Sequence, residues 1–160
     1  MKMKEALNIL KIYEEELKNA PCSKDHHLNK VGGLLEHLVN TEVAAEEIDP
    51  KNEQLHALAT IHDIGKARTY KIIASKGKRS KIKIEYTTPA VDHLINTIAM
   101  IAESGYHLSQ EEIHAIQFHH GGFLQFAKGG VNLTELAIKL HAADMIAMSR
   151  EDNNDHSKKC

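Results

Sequence analysis

Apolar residues at Leu7, Leu10, Tyr13 (or Glu14) and Leu17 recur at helical spacing in a charged stretch and predict an amphipathic helix over residues 3–19, ended by Pro21. A short loop carries Asp25-His26-His27. Val31, Leu34, Leu35, Leu38, Val39 and Val43 then mark a second helix reaching Asp49-Pro50, with Gly32-Gly33 at its start. Paired glycines make a poor helix interior unless something packs close to the backbone. Residues 52–65 predict a third helix, with Leu55, Leu58, Ala59 and His62 on one side and Gly65 at a C-cap position. Tyr70-Lys71-Ile72-Ile73 and Ile82-Lys83-Ile84-Glu85-Tyr86 flank Ser75-Lys76-Gly77-Lys78 and read as a β-hairpin. Thr88-Pro89 predicts a helix start, with Thr as N-cap and Pro at the first helical position; that helix carries His93 and runs to Gly105. Ser109-Gln110-Glu111-Glu112 is a capping box opening a helix that ends in His119-His120-Gly121-Gly122. A Gly-rich loop with Phe123 and Phe126 follows. Asn132-Leu133-Thr134-Glu135 caps the last helix, buried through Leu136, Leu140, Ala143 and Ala147. From Arg150 onward the chain is polar, which predicts a frayed tail over 151–160. The pattern as a whole predicts one all-α domain over 1–150 with a single inserted β-hairpin at about residues 69–86.

A chain of 160 residues is long enough to bury a core without staples. Its net charge of −2 gives no global reason to expect a nucleic-acid or membrane partner. Met1 to Lys18 holds no apolar signal region and no run reaches membrane-spanning length, so no membrane and a cytoplasmic location are expected. Cys22 and Cys160 form neither a disulfide framework nor a thiolate metal site. Twelve histidines against three phenylalanines and no tryptophan change the picture, because imidazole is the commonest metal ligand.

His62-Asp63, within Thr60-Ile61-His62-Asp63-Ile64-Gly65-Lys66, sets an imidazole beside a carboxylate; such a doublet can hold a divalent metal, and a carboxylate can bridge two. His37 falls mid-helix, His93 in the first turns after Pro89, and His119-His120 just before a Gly-Gly break. Asp144 lies in a helix rich in Ala and Leu, where a lone carboxylate is costly to desolvate. Lys139 and Arg150 are not on its face, so a metal is its economical partner. Each histidine taken singly is more often a hydrogen-bonded core residue than a ligand. Spread over five helices, the set matches the way bundles build metal sites from inward residues of facing helices.

The ordered pattern His37, His62-Asp63, Asp144, with Ile64-Gly65-Lys66 after the doublet, resembles the HD-domain superfamily of metal-dependent phosphohydrolases over roughly residues 22–149. One branch is closer. His27, Gly32-Gly33-Leu34-Leu35-Glu36-His37, His62-Asp63-Ile64-Gly65-Lys66, Tyr86-Thr87 ahead of His93, His119-His120-Gly121 and Leu140-His141-x-x-Asp144 resemble the HD domain of bacterial 3′–5′ exoribonucleases. Their OB-fold has no counterpart before His26, where there is room for one helix. The Gly-Tyr-Pro of the cyclic-dinucleotide branch is replaced by Gly121-Gly122-Phe123.

The resemblance implies an HD helical bundle holding one or two divalent ions (Mn, Fe, Ni, Co, Zn or Mg). One ion would take His37, His62, Asp63 and Asp144; a second would share Asp63 and use His93 with His119, His120 or both. Asp63 and Lys66 would be the catalytic residues, with hydroxide from a water acidified from about 15.7 toward neutrality as the nucleophile. Lys66 and His27 would meet the substrate phosphate, and His141, one turn before Asp144, would hold a carboxylate ligand from behind. Lys66 also reads as a solvated helix-end lysine.

The hairpin gathers Lys71, Lys76, Lys78, Arg79, Lys81 and Lys83; with Lys78 and Arg79 foremost, it could track a nucleic-acid backbone, or it is an edge strand protected by lysines. Phe123 and Phe126 could stack a base or pack their loop onto the core. The expected function is a phosphodiesterase or nuclease acting on a phosphate ester, a nucleotide or single-stranded nucleic acid. The alternatives are a mononuclear 5′-nucleotidase-type phosphomonoesterase and a non-catalytic metal- or nucleotide-binding module.

Overall fold

The computed structural model describes residues 1–74, 82–121 and 132–157. Its elements run α1 (Met3–Ile12), α2 (Glu14–Asn19), α3 (Gly33–Ile48), α4 (Glu53–Ile61), α5 (Lys66–Thr69), β1 (Tyr70–Ala74), β2 (Ile82–Tyr86), α6 (His93–Glu103), α7 (Gln110–Phe118) and α8 (Glu135–Ser157). The expected architecture, a helical bundle with one small antiparallel hairpin, is what folds. α3, α4 and α8 pack on one another; α1 lies on α4, α7 on α8, and α5 carries α6. Leu34, Leu38, Leu55, Leu58, Ile61, Leu140 and Ala143 fill the space between them, and burying these apolar side chains drives the assembly. β1 and β2 pair from Tyr70 opposite Tyr86 to Ala74 opposite Ile82.

Several boundaries differ from the sequence pattern, each for a local reason. The helix expected over 3–19 breaks at Tyr13, whose buried side chain sends its hydroxyl to Met100 O at 2.8 Å. The second helix begins only at Gly33, because Gly32 is left-handed at φ 73°, a conformation glycine takes without a Cβ clash. Val31 therefore lies outside it, and Val39 and Val43 face solvent. The buried stripe is Leu34, His37, Leu38, Thr41, Ala44 and Ala45, so His37 points into the bundle.

Gly65 is no left-handed C-cap: its φ is −61° and it opens α5. It is small because α6 crosses on top of it. A Cβ there would lie 2.1 Å from His93 O and 2.3 Å from Thr97 N. The helix carrying His93 starts at His93 itself, capped by Asp92, whose side chain accepts from Leu94 N at 2.8 Å. Thr88-Pro89 does not open it, since Thr87 N still bonds Thr69 O and holds the chain to the hairpin.

The Ser109/Glu112 capping box forms as expected, and Thr134 Oγ1 accepts from Ala137 N at the start of α8. That helix does not fray at Arg150: it runs to Ser157, and Glu151 is buried. The hairpin turn with Lys76, Lys78, Arg79 and Lys81, and the loop with Phe123 and Phe126, lie outside the described residues. No helix among the described residues is long and apolar enough to cross a membrane.

Candidate metal centre

Three mutually packed helices deliver the first group of candidate ligands: His37 from the second turn of α3, His62 and Asp63 from the end of α4, and Asp144 from α8. His37 Nε2 lies 3.1 Å from Asp144 Oδ1 and 3.6 Å from Asp63 Oδ2. His62 Nε2 lies 3.5 Å from the same Asp63 oxygen and 3.8 Å from Asp144 Oδ1. The other Asp63 oxygen, Oδ1, faces a second group, His93 Nε2 at 3.5 Å and His119 Nε2 at 3.4 Å. His120 turns Nδ1 to Asp144 Oδ2 at 3.6 Å and Nε2 to His93 Nε2 at 3.1 Å. Asp63 thus stands between two sets of imidazoles.

The ring orientations follow from helix ends. His62 and His119 are the C-caps of α4 and α7, where the last carbonyls have no partner within the helix. His62 Nδ1 donates to Ala59 O at 3.0 Å, and His119 Nδ1 donates to Ile116 O at 2.6 Å. Each carbonyl can only accept, so a proton sits on Nδ1 and Nε2 points inward, where its lone pair is free whenever the ring is neutral. His119 Nε2 and Asp63 Oδ1 are then two acceptors face to face.

Among the described residues, seven buried side-chain polar atoms lack a hydrogen bond: His37 Nε2, His62 Nε2, His119 Nε2 and both oxygens of Asp63 and of Asp144. All belong to one neighbourhood, where three overlapping groups of these residues with His93 and His120 each hold their ligand atoms within 4.8 Å of one another. Buried polar atoms are seldom left unpartnered, and a cluster of carboxylate oxygens and imidazole nitrogens fits cations. The residues present therefore fit divalent metal. Lys66 Nζ, 2.5 Å from Asp63 Oδ2, offers that oxygen an ion pair without hydrogen-bond geometry.

The electrostatics agree. Burial works to raise the Asp63 carboxyl, but Lys66, His62 and His119 outweigh it and hold it well below the usual carboxylate range. Burial likewise opposes charge on Asp144 and loses to His120, His37 and His62. His37 is raised well above the ordinary imidazole value, its burial outweighed by the carboxylates of Asp144, Asp63 and Glu151. His119 is pushed down to about 4, chiefly by burial. Burial also lowers His93.

A family model for the HD domain matches residues 34–149, most of the chain and every residue of both groups. The chain belongs to the HD-domain family. HD domains form a superfamily of metal-dependent phosphohydrolases, and the buried His/Asp cluster is compatible with that chemistry. No curated protein and no solved structure gives a significant match.

The remaining expected site residues fare unequally in this HD domain. Lys66 is neither solvated nor free: it is buried, tied to Asp63 and 3.8 Å from Cys22 Sγ. His27 is buried beside Cys22 Sγ at 3.4 Å and Glu151 Oε2 at 3.6 Å, on the far side of His37 from Asp63 and Asp144. His141 holds no carboxylate; its Nδ1 donates to His119 O at 2.6 Å, steadying the backbone of the His119-His120 turn instead. Lys78 and Arg79 lie outside the described residues. Lys139 and Arg150, set aside as partners for Asp144, are engaged by Asp49 and Glu47. The sequence reading missed Glu151, which contacts His37 Nδ1 at 3.2 Å through both oxygens.

Proposed function

We propose that this HD domain is a two-metal phosphodiesterase acting on nucleotides or single-stranded nucleic acid. The observation that supports it is the division of labour at Asp63, whose two oxygens serve separate imidazole sets, Oδ2 with His37 and His62 and Oδ1 with His93 and His119. His37, His62, Asp63, Asp144, His93 and His119 would hold divalent ions, whose chemistry when bound would be Lewis acidity. The chain itself supplies position and exclusion. His37, His62, His119, Asp63 and Asp144 are sealed from solvent, whereas His93 and His120 are partly exposed. A cavity of about 190 Å³ opens beside them, lined by Asp92, His93, Leu94, Gln117, Phe118, His120 and Gly121. Substrate reaches the site from this side. Lys66, anchored on Asp63, brings a cation to the cluster and can balance the charge of a phosphate bound there.

The sequence motifs that resemble the exoribonuclease HD domain argue for a diester substrate, and the lysines of the hairpin sequence argue for a nucleic acid. One observation favours a second reading. His93 and His120 bond each other at 3.1 Å, so one ion on His37, His62, Asp63 and Asp144 could leave them free to touch a phosphomonoester.

Metal analysis and turnover separate these. The expected result is two equivalents of transition metal per chain and manganese-dependent hydrolysis of bis-p-nitrophenyl phosphate in preference to p-nitrophenyl phosphate. Asp63→Ala should lower that activity by roughly 10²–10³-fold or more. One equivalent with preference for the monoester replaces the reading by the nucleotidase one. Undiminished turnover in the variant removes both.

A further inference from the structure

The geometry points to Glu151 as the residue that positions His37 for metal binding. This rests on the reading of His37 as a ligand. His62 and His119 borrow unpartnered carbonyls at the ends of their helices to fix the Nδ1 proton. His37 has no such carbonyl. It sits in the fifth position of a sixteen-residue helix, where the preceding carbonyls are engaged in the helix ladder. The acceptor is brought in from elsewhere: Glu151, one hundred and fourteen residues downstream on α8, sets both carboxylate oxygens 3.2 Å from His37 Nδ1.

Glu151 is itself held. Asn40, one turn along α3 from His37, donates from Nδ2 to Glu151 Oε1 at 2.8 Å, and His27 Nε2 lies 3.6 Å from Oε2. A carboxylate can only accept, so it keeps the His37 proton on Nδ1 and directs the Nε2 lone pair at the space between Asp63 and Asp144. Cys22, His27 and His37 also bring ligand atoms within 4.8 Å of one another, but there Cys22 Sγ and His27 Nε2 contact each other at 3.4 Å and His37 Nδ1 is engaged by Glu151. The Lys66 ammonium 3.8 Å from Cys22 Sγ would also repel a cation there.

Glu151, His27 and Cys22 all fall outside the stretch that matches the HD family model, residues 34–149. The last turns of α8 and the loop before α3 thus form a collar that completes the centre from outside the family core.

The test compares wild type with Glu151→Ala, Glu151→Gln and His37→Ala by zinc titration and by imidazole ¹H–¹⁵N correlation spectra of the zinc-loaded protein. Wild type should show His37 ligated through Nε2 with a strongly downfield Nδ1 proton. Glu151→Ala should lose that proton signal and roughly 10–100-fold in zinc affinity. Glu151→Gln keeps a weaker, neutral acceptor at the same place and should retain the Nε2 ligation with a smaller loss of affinity and an Nδ1 proton moved upfield, whereas a mere packing role, preserved by the isosteric Gln, predicts no change in either. If His37→Ala weakens zinc but neither Glu151 variant moves affinity or the Nδ1 signal, the positioning role is overturned while the metal centre stands. If His37→Ala leaves zinc affinity unchanged, both are overturned.

Discussion

His119 shows at the scale of one residue how the site stores its chemistry. Its ring is fully buried, its Nδ1 proton is given to Ile116 O, and its Nε2 faces Asp63 Oδ1. Burial disfavours its charged form, so its folded pKa of about 4 lies below the unfolded value near 6.5. Between those two values the unfolded chain binds the extra proton, and stability of the metal-free protein must fall as pH falls through that window. His27 and His93, also lowered, act in the same direction, whereas His37, raised, changes stability only above about 6.5. The depressed carboxylates Asp63 and Asp144 act below about 4. We therefore expect urea midpoints of chelator-treated protein to drop from pH 6.5 to pH 4, with His119 contributing on the order of 3 kcal/mol. His119→Gln should flatten most of that slope, and an unaltered slope would contradict the burial argument. The residues that cluster here were legible in the sequence because each is a metal-binding residue type beside a helix signal. Glu151 was not, since nothing near it in sequence marks a carboxylate whose partner lies on another helix.

Among elements, the useful comparison is between signals carried by neighbouring residues and those decided across the bundle. Ser109 with Glu112, Thr134 before α8, and the alternation in β1 and β2 are local devices, and each stands where the sequence pattern puts it. Tyr13, Gly65 and the start of α6 are settled by contacts with distant segments, so periodicity alone misplaced them. Gly65 is the instructive case. Its glycine serves not a positive φ but the approach of α6, whose first residue is His93. Gly65 N donates to Thr97 Oγ1 at 2.9 Å, locking the two helices at this distance. A methyl group there would force α6 outward and carry His93 with it, while α3, α4 and α8 keep the first ligand group. Gly65→Ala should cost ~1–3 kcal/mol by overpacking, seen as a Tm lower by ~2–4 °C per kcal/mol. It should also lose the second equivalent of metal while retaining the first. Loss of both equivalents together would mean that the two groups do not depend on separate helices.

At the scale of the whole molecule, α3, α4, α6, α7 and α8 each end or pass at the same point, and what they bring there is a cluster of carboxylate oxygens and imidazole nitrogens. Metal binding and folding are consequently linked, because an ion that reaches all five elements binds only the folded arrangement. At one hundred times the dissociation constant the linkage is worth about 2.7 kcal/mol. For a chain of this length that corresponds to a Tm higher by about 5–11 °C. Calorimetry with and without manganese should show this shift in wild type. Asp144→Asn, which keeps the shape of the side chain but removes a ligand charge from the α8 contribution, should reduce the shift to a small fraction while leaving the helical signal in circular dichroism intact. The contrast matters because a fold merely tolerant of metal would bind it at exposed carboxylates, and its Tm would then respond equally in both proteins. A shift of the same size in Asp144→Asn would place the ion away from the centre of the bundle and detach the chemistry from the fold.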